Sequence, residues 1–326
     1  MAARRCEDTV TSSRVILFGS GGFAVPSFRA IAADRRFDVV AVVTAPPRAA
    51  GRSGALQPTP VDAWASGAGL RVERLAAVRA PAAMALLKGI DARLGLLADF
   101  GQIIPAELLQ HLPGGIVNLH PSLLPRHRGA SPIPAAILAG DRETGVSTIS
   151  MERGVDSGPI IAVQKVPLPA GVTAAELESE LAELAAAGIG ETLAAWVRGE
   201  AAARPQTSEG ATVTKRLTRG DGRIGAGTDR ALALRMWQAY QPWPGVWVEL
   251  VGADERLILN AVSDAASSAP LAPGVLATVD GALHLGLPGG AIRLDRVTPA
   301  GGRAMSGAEY VRGRAGGLAS RGRIAE

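Results

Sequence analysis

The sequence predicts an α/β protein in two parts: a mostly parallel sheet covered by helices, then a small β-barrel. Three observations carry this expectation. Short apolar runs of four to six residues alternate with helical stretches through the first two thirds of the chain. The first run leads into a glycine turn, Gly19-Ser20-Gly21-Gly22, that opens a helix. The last third holds five short strand-like segments at intervals of 10–15 residues, with glycine-rich turns. Apolar strands joined through helices bury both faces of a parallel sheet, and the repeated strand–helix–strand unit gives a Rossmann-like fold. Short strands closely spaced between turns suit a barrel. A length of 326 residues fits about two domains.

Each element follows from its own pattern. Val15–Phe18 is a short apolar strand, and Pro26–Ala33 is the helix after the glycine turn. Val39–Val43 is a second strand, rich in β-branched residues. Ala45–Pro60 mixes proline, glycine and arginine without a period and reads as a long loop. Val61–Gly67 is a short helix beyond it. Leu94–Ala98, Gly115–His120 and Val146–Met151 are further buried strands. Thr173–Gly199 carries Leu177, Leu181, Leu184, Ile189, Leu193 and Trp196 at helical spacing. Glu176, Glu178, Glu180 and Glu183 lie near its start, where the helix dipole favours negative charge. Ala203–Thr212 loses all periodicity and reads as a linker. A helix over Asp229–Ala239 precedes strands at Val246–Leu250, Leu257–Val262, Gly274–Val279, Leu283–Leu287 and Ala291–Val297. The expected division is a loose extension over 1–13, a first domain over 14–202, a linker over 203–213 and a barrel domain over 214–326.

Composition narrows the function classes. Apolar residues make up 47% and charged residues 20%, as in globular proteins. Aromatics are only 4%, so Ala, Val, Leu and Ile must build the core. Glycine (40) and proline (22) have no period, which excludes collagen. The single cysteine, Cys6, cannot form an intramolecular disulfide, and cysteine-rich metal sites are excluded. A reducing, cytoplasmic setting is expected. The N-terminus lacks the apolar run of a signal peptide, and no apolar stretch approaches the ~20 residues of a membrane span. Residues 1–200 carry 19 basic and 19 acidic side chains; residues 201–326 carry 15 and 11. The whole formal excess of +4 therefore lies in the last third, which points towards a polyanion such as nucleic acid.

The run Gly19-Ser20-Gly21-Gly22-Phe23-Ala24 fits the dinucleotide pattern GxGxxA. An acidic residue should then end the second strand, but Thr44-Ala45 stands there and Asp38 lies at the opposite end. The run reads instead as a tight turn whose N–H groups face the carboxyl edge of the sheet. No GxxxxGK[ST], HExxH or GxSxG motif is present.

Asn118 and His120 are the densest chemical signal. Strand periodicity puts both side chains on one face, at the carboxyl end where open α/β sheets bind ligands. An amide can donate to a developing oxyanion, and a neutral imidazole can take a proton from an attacking amine. The pair also fits a hydrogen-bonded histidine in a polar turn. Pro121-Ser122-Leu123-Leu124-Pro125 is an apolar segment stiffened by prolines, suited to a flat ring or to burial. Gly154-Val155-Asp156-Ser157-Gly158 is a glycine-flanked acidic loop; its carboxylate could orient an imidazole or simply form a turn. Spacing alone does not bring Asp156 to His120. Asp99 ends a strand and is either poised over the same edge or capping a turn.

At this point the residues resemble a known family. Residues 117–160, VNLHPSLLPRHRGASPIPAAILAGDRETGVSTISMERGVDSGPI, closely resemble the folate-dependent formyltransferases. That family's Asn-x-His, Ser-Leu-Leu-Pro-x-x-Arg-Gly and Gly-x-Asp-Ser/Thr-Gly elements occur in order. Phe100-Gly101-Gln102-Ile103-Ile104-Pro105 looks like its aromatic-Gly-x-Ile-Leu-Pro loop. Phe23-Ala24-Val25-Pro26, Arg48 with Gly51-Arg52, Gly222-Arg223-Ile224 and Tyr240-Gln241-Pro242-Trp243-Pro244-Gly245 resemble the branch that acts on initiator Met-tRNA.

The resemblance implies a Rossmann-like formyltransferase domain followed by an OB-like barrel. It implies Asn118, His120 and Asp156 as the catalytic set. Ser122, Leu123, Leu124 and Pro125, with Phe100, Gly101, Gln102 and Ile103, would hold the donor, 10-formyltetrahydrofolate. Arg48, Arg52, Lys215, Arg216 and Arg219 would contact tRNA, and no metal is implied. Three positions depart from the family pattern: Gly21 replaces a usual Pro, Pro47 a usual Asp, and Ser53-Gly54-Ala55 stands where a lysine pair is common. Alternatives are formyl transfer to another amine such as an amino-sugar nucleotide, an NAD-dependent oxidoreductase, and a non-enzymatic RNA-binding barrel.

Overall fold

The computed structural model describes residues 12–50, 54–251, 255–265, 271–313 and 322–325. The first 11 residues, with Cys6, lie outside them. The chain forms two compact units. One contains residues up to 132, 143–166 and 178–214; the other contains 133–142, 167–177 and 215–326.

The first unit opens with β1 (Ser13–Gly19), α1 (Ala24–Ala33) and β2 (Phe37–Thr44). The stretch read as a loop instead contains a hairpin, β3 (Arg48–Ala50) against β4 (Ala55–Gln57). Then come α2 (Pro60–Gly67), β5 (Val72–Arg74), α3 (Pro81–Lys88), β6 (Leu94–Ala98), α4 (Ala106–His111) and β7 (Ile116–His120). Thr59 caps α2 through its side chain, accepting from the Asp62 N–H, and Pro60 occupies the first turn. β8 (Arg128–Gly129), β9 (Glu143–Ser150), β10 (Ile160–Pro167), α6 (Ala174–Arg198) and β11 (Val213–Thr214) follow; α5 (Pro132–Ala139), between β8 and β9 in the chain, falls almost wholly in the second unit.

One seven-stranded sheet has the order β10-β9-β7-β6-β1-β2-β5. β5, β2, β1, β6 and β7 run parallel, and β9 is antiparallel to β7. The mostly parallel Rossmann-like sheet expected from the sequence is present. Its centre is fully buried: Val15, Ile16, Leu17 and Phe18 of β1 and Leu94 and Leu96 of β6 have no exposed surface. Such continuous apolar runs are what a sheet covered on both faces requires. β5 and β10, the edge strands, are the ones the apolar-run reading passed over. β10 has no buried residue, its second half alternating half-buried and exposed positions, and it lacks a core signature.

The second unit contains α7 (Arg230–Ala239), capped by the Asp229 side chain, and a six-stranded antiparallel sheet. Its strands are β12 (Trp247–Leu250), β13 (Glu255–Asp264), β14 (Leu276–Val279), β15 (Ala282–Leu287), β16 (Gly290–Pro299) and β17 (Met305–Ser306). α8 (Gly307–Gly313) follows. The main path runs β12-β13-β16-β15-β14. Residues 322–325 bridge its ends, with Ile324 opposite Leu250 and Arg323 opposite Val275. The result is the curled, OB-like sheet expected for the last third.

Candidate active site

β7 carries Asn118 and His120 on one face, as period two dictates, and both are buried. The loop after β9 brings Asp156 to them. Asn118 Nδ2 donates to Asp156 Oδ1 at 3.2 Å, and the backbone N–H of Gly129 donates to Asp156 Oδ2 at 2.8 Å. His120 Nδ1 lies 3.6 Å from Asp156 Oδ2. The three residues separated in sequence therefore converge on one carboxylate.

Two glycines, one on this loop and one on β8, make the close approach possible. A Cβ at Gly158 would stand 1.9 Å from the Ser150 carbonyl oxygen, and one at Gly129 would stand 2.4 Å from that of Thr214. Asp156 itself takes a left-handed conformation, φ 47°, which non-glycine residues adopt only when neighbours hold them there.

The imidazole is oriented from its other side. His120 Nε2 lies 2.8 Å from the backbone oxygen of His127. A carbonyl can only accept, so Nε2 carries the hydrogen and, in the neutral ring, Nδ1 keeps its lone pair towards Asp156. Burial pushes the His120 pKa below the usual imidazole value, while the Asp156 carboxylate pulls it back up. The ring is thus neutral near pH 7, with a carboxylate ready to stabilise it once protonated.

The Pro121–Pro125 segment is pinned from beneath. Ser122 is fully buried, and its hydroxyl donates to the Arg126 carbonyl at 2.7 Å. The Ser147 hydroxyl donates to the Ser122 carbonyl and accepts from the Leu124 N–H. Leu124 is buried, whereas Leu123 and Pro125 are half-buried. Ser122 therefore serves the loop's shape, and Leu123 and Pro125 offer it surface. On the loop after β6, Phe100 is buried edge-on against Phe18, and the Gln102 amide is bound to Val78 N and Leu75 O. Gly101 is exposed, and Ile103 is 85% exposed, an unusual state for isoleucine.

The glycine turn after β1 is tied to the same strand end as this loop. The N–H groups of Ser20 and Gly21 both bond the Asp99 carbonyl. A Cβ on Gly21 would stand 1.5 Å from the Asp99 carboxylate, so Gly21 leaves the space that Asp99 fills.

The stretch read as a linker is bonded into this site. Arg204 pairs with Ile160, the Thr212 hydroxyl accepts from His127 N at 2.8 Å, and β11 pairs with β8. Sequence reading missed this stretch because a two-residue strand leaves no period. Of the basic residues assigned to tRNA, Arg48 is exposed on the β3–β4 hairpin, and Arg52 lies outside the described residues. In the second unit, Lys215, Arg216 and Arg219 are exposed. Lys215 pairs with Asp221 at 2.9 Å, and the Arg219 guanidinium lies 5.7 Å from the centre of the Trp243 ring.

Comparison with known proteins adds the family. Residues 13–193 match the formyl transferase family model, and residues 216–315 match the formyl transferase C-terminal domain. The methionyl-tRNA formyltransferase of Roseiflexus sp. (strain RS-1) is 40% identical over 301 residues, 92% of each chain. That of Paracoccus denitrificans (strain Pd 1222) is 37% identical, covering 93% of this chain and 98% of its own. The chain belongs to the methionyl-tRNA formyltransferase family.

The fold of this formyltransferase extends to more distant structures. An N-formyltransferase from Helicobacter canadensis, bound to folinic acid and dTDP-3-aminofucose, superposes with a TM-score of 0.63 at 15% identity. That match covers 87% of this chain and 98% of the other. HypX from Aquifex aeolicus with tetrahydrofolic acid gives 0.62 at 17% identity, covering 94% of this chain and 47% of HypX. Among the described residues, no helix of the formyltransferase is long and apolar enough to cross a membrane.

Proposed function

We propose that the protein transfers a formyl group from 10-formyltetrahydrofolate to the α-amino group of methionine on initiator tRNA, in the cytoplasm. The observation that supports this most directly is the convergence of Asn118, His120 and Asp156 in a chain that shares 35–40% identity with methionyl-tRNA formyltransferases along its length. The donor site fits a flat heterocycle: a pinned Pro121–Pro125 segment with Leu123 presented, beside a loop that exposes Ile103. When bound, the donor supplies a formyl carbon that is electrophilic through its bond to a ring-linked nitrogen.

The residues divide the work by their chemistry. One N–H of Asn118 is committed to Asp156, and the amide has a second to offer the oxygen that gains charge as the amine attacks. His120 Nδ1 takes the proton that the amine must lose, and Asp156 stabilises the resulting imidazolium. The same proton can then return to the donor nitrogen as the carbon–nitrogen bond breaks. No covalent enzyme intermediate is needed.

Arg48 on the hairpin and Lys215, Arg216 and Arg219 in the second unit are exposed positive groups of the kind that contact phosphates. The deciding experiment is formyl transfer from 10-formyltetrahydrofolate to initiator Met-tRNA, elongator Met-tRNA and an amino-sugar nucleotide. Transfer to initiator Met-tRNA alone is expected. Preferential use of the sugar nucleotide would refute the reading.

A further inference from the structure

Gln206 has a fully committed side-chain amide. Its Nε2 donates to the backbone oxygens of Asp156 and Gly158, each at 2.8 Å. Its Oε1 accepts from Arg128 Nε at 2.9 Å and Nη2 at 2.7 Å. A guanidinium only donates and a carbonyl only accepts, so the amide has one possible orientation.

Both ends of this bridge meet catalytic geometry. On one side stands the backbone of Asp156, held in a left-handed conformation that needs an external partner. On the other stands Arg128, whose neighbours supply the remaining contacts. The His127 carbonyl accepts from His120, and the Gly129 N–H donates to the Asp156 carboxylate. Arg128 is itself fixed, its N–H bonded to the Thr212 carbonyl and its own carbonyl to the Thr214 hydroxyl. One amide therefore ties the loop that carries the carboxylate to the loop that orients the imidazole.

We propose that Gln206 is a positioning residue for formyl transfer, fixing the Asp156 backbone so that the carboxylate keeps its place between Asn118 and His120. This rests on the reading of Asn118, His120 and Asp156 as the catalytic set. It gives the stretch before the second unit a role in the reaction besides connection.

Gln206→Glu separates positioning from mere stapling. A carboxylate still accepts from Arg128 and adds charge, so a staple is kept. It loses both N–H donors and sets an oxygen against two carbonyls, so the hold on Asp156 is lost. With wild type assayed alongside, kcat is expected to fall by ~10²-fold, while KM for either substrate changes by less than ~3-fold and Tm is retained. In an Asp156→Asn background the same substitution should cost less than ~2-fold, because no carboxylate remains to be positioned.

Wild-type kcat in Gln206→Glu, or equal losses in both backgrounds, overturns the proposal. Should that variant fail to fold, Gln206→Leu is put through the same two backgrounds, with the same outcomes deciding. A wild type that formylates no amine overturns instead the catalytic reading on which the proposal stands.

Discussion

His120 Nδ1 lies 3.6 Å from the carboxylate of Asp156, and the opposite ring nitrogen is bonded to a backbone carbonyl. This relationship fixes which nitrogen can receive a proton. It also sets two opposing influences on the ring: burial disfavours its charged form and Asp156 favours it. Burial is the larger, so the neutral ring is the resting state.

The first prediction follows from the sign of that balance. A base acts in its neutral form, so activity is retained above its pKa and lost as pH falls through it. The acid limb of the kcat/KM profile assigned to His120 should lie below the ordinary imidazole value of about 6.5. Asp156→Asn removes the influence that raises the pKa, so the limb should move to still lower pH while the plateau drops. A limb at or above 6.5 in wild type would contradict the neutral-base assignment.

Removing the ring tests the role itself. His120→Ala should lower kcat by ~10²–10⁴-fold if His120 is the acid/base group. The thermal midpoint should be followed in parallel, because His120 is buried and its loss leaves a cavity. Near-normal turnover would refute the assignment.

The Asp156 loop depends on a glycine with no room for a side chain. Gly158→Ala would drive a methyl group into the Ser150 carbonyl. Backbone on β9 cannot rotate away as a side chain can, so the loop must shift. A stability loss of about 1–3 kcal/mol is expected, with a fall in kcat larger than the change in KM. A denaturant titration and steady-state kinetics on one preparation would check both; unchanged stability would show that the loop yields freely.

Some of this was legible in the sequence and some was not, for physical reasons. Asn118 and His120 share a face because a strand has period two, and that is visible in five letters. The inner parallel strands β2, β1, β6 and β7 declared themselves as apolar runs because both sheet faces are covered. Asp156 lies 36 positions after His120, and no local pattern encodes that closure. Gln206 was invisible for a different reason. It sits in a polar stretch whose order comes from single hydrogen bonds, which leave no periodicity. Ser122 was read as a contact to the formyl donor; that its hydroxyl also gives its proton to the Arg126 carbonyl is a detail no spacing announces.

Gly21 and Asp99 should behave as a coupled pair. The carboxylate occupies the volume that a Cβ at Gly21 would need. Gly21→Ala should therefore cost about 1 kcal/mol or more in wild type and close to nothing in an Asp99→Ala background. The measurement is a four-corner stability cycle. Additive effects would mean that Asp99 swings aside without cost and that the two positions are independent.

The salt dependence of tRNA binding should rank the basic residues by how occupied each already is. A cation that contacts a phosphate displaces counterions, so its loss lowers the slope of log Kobs against log salt by about one. Lys215 is already neutralised by Asp221 at 2.9 Å. Hydrogen bonds from Thr218 and Lys215 hold Asp221 ionised, with its pKa lowered to about 2. The Arg219 guanidinium lies against the Trp243 ring, and a ring leaves the guanidinium's charge unneutralised. Arg219→Ala should therefore reduce the slope more than Lys215→Ala does. Filter binding of initiator tRNA across a salt series reads both slopes directly. Equal slopes in Arg219→Ala and wild type would remove Arg219 from the tRNA surface, whatever the enzyme's rate.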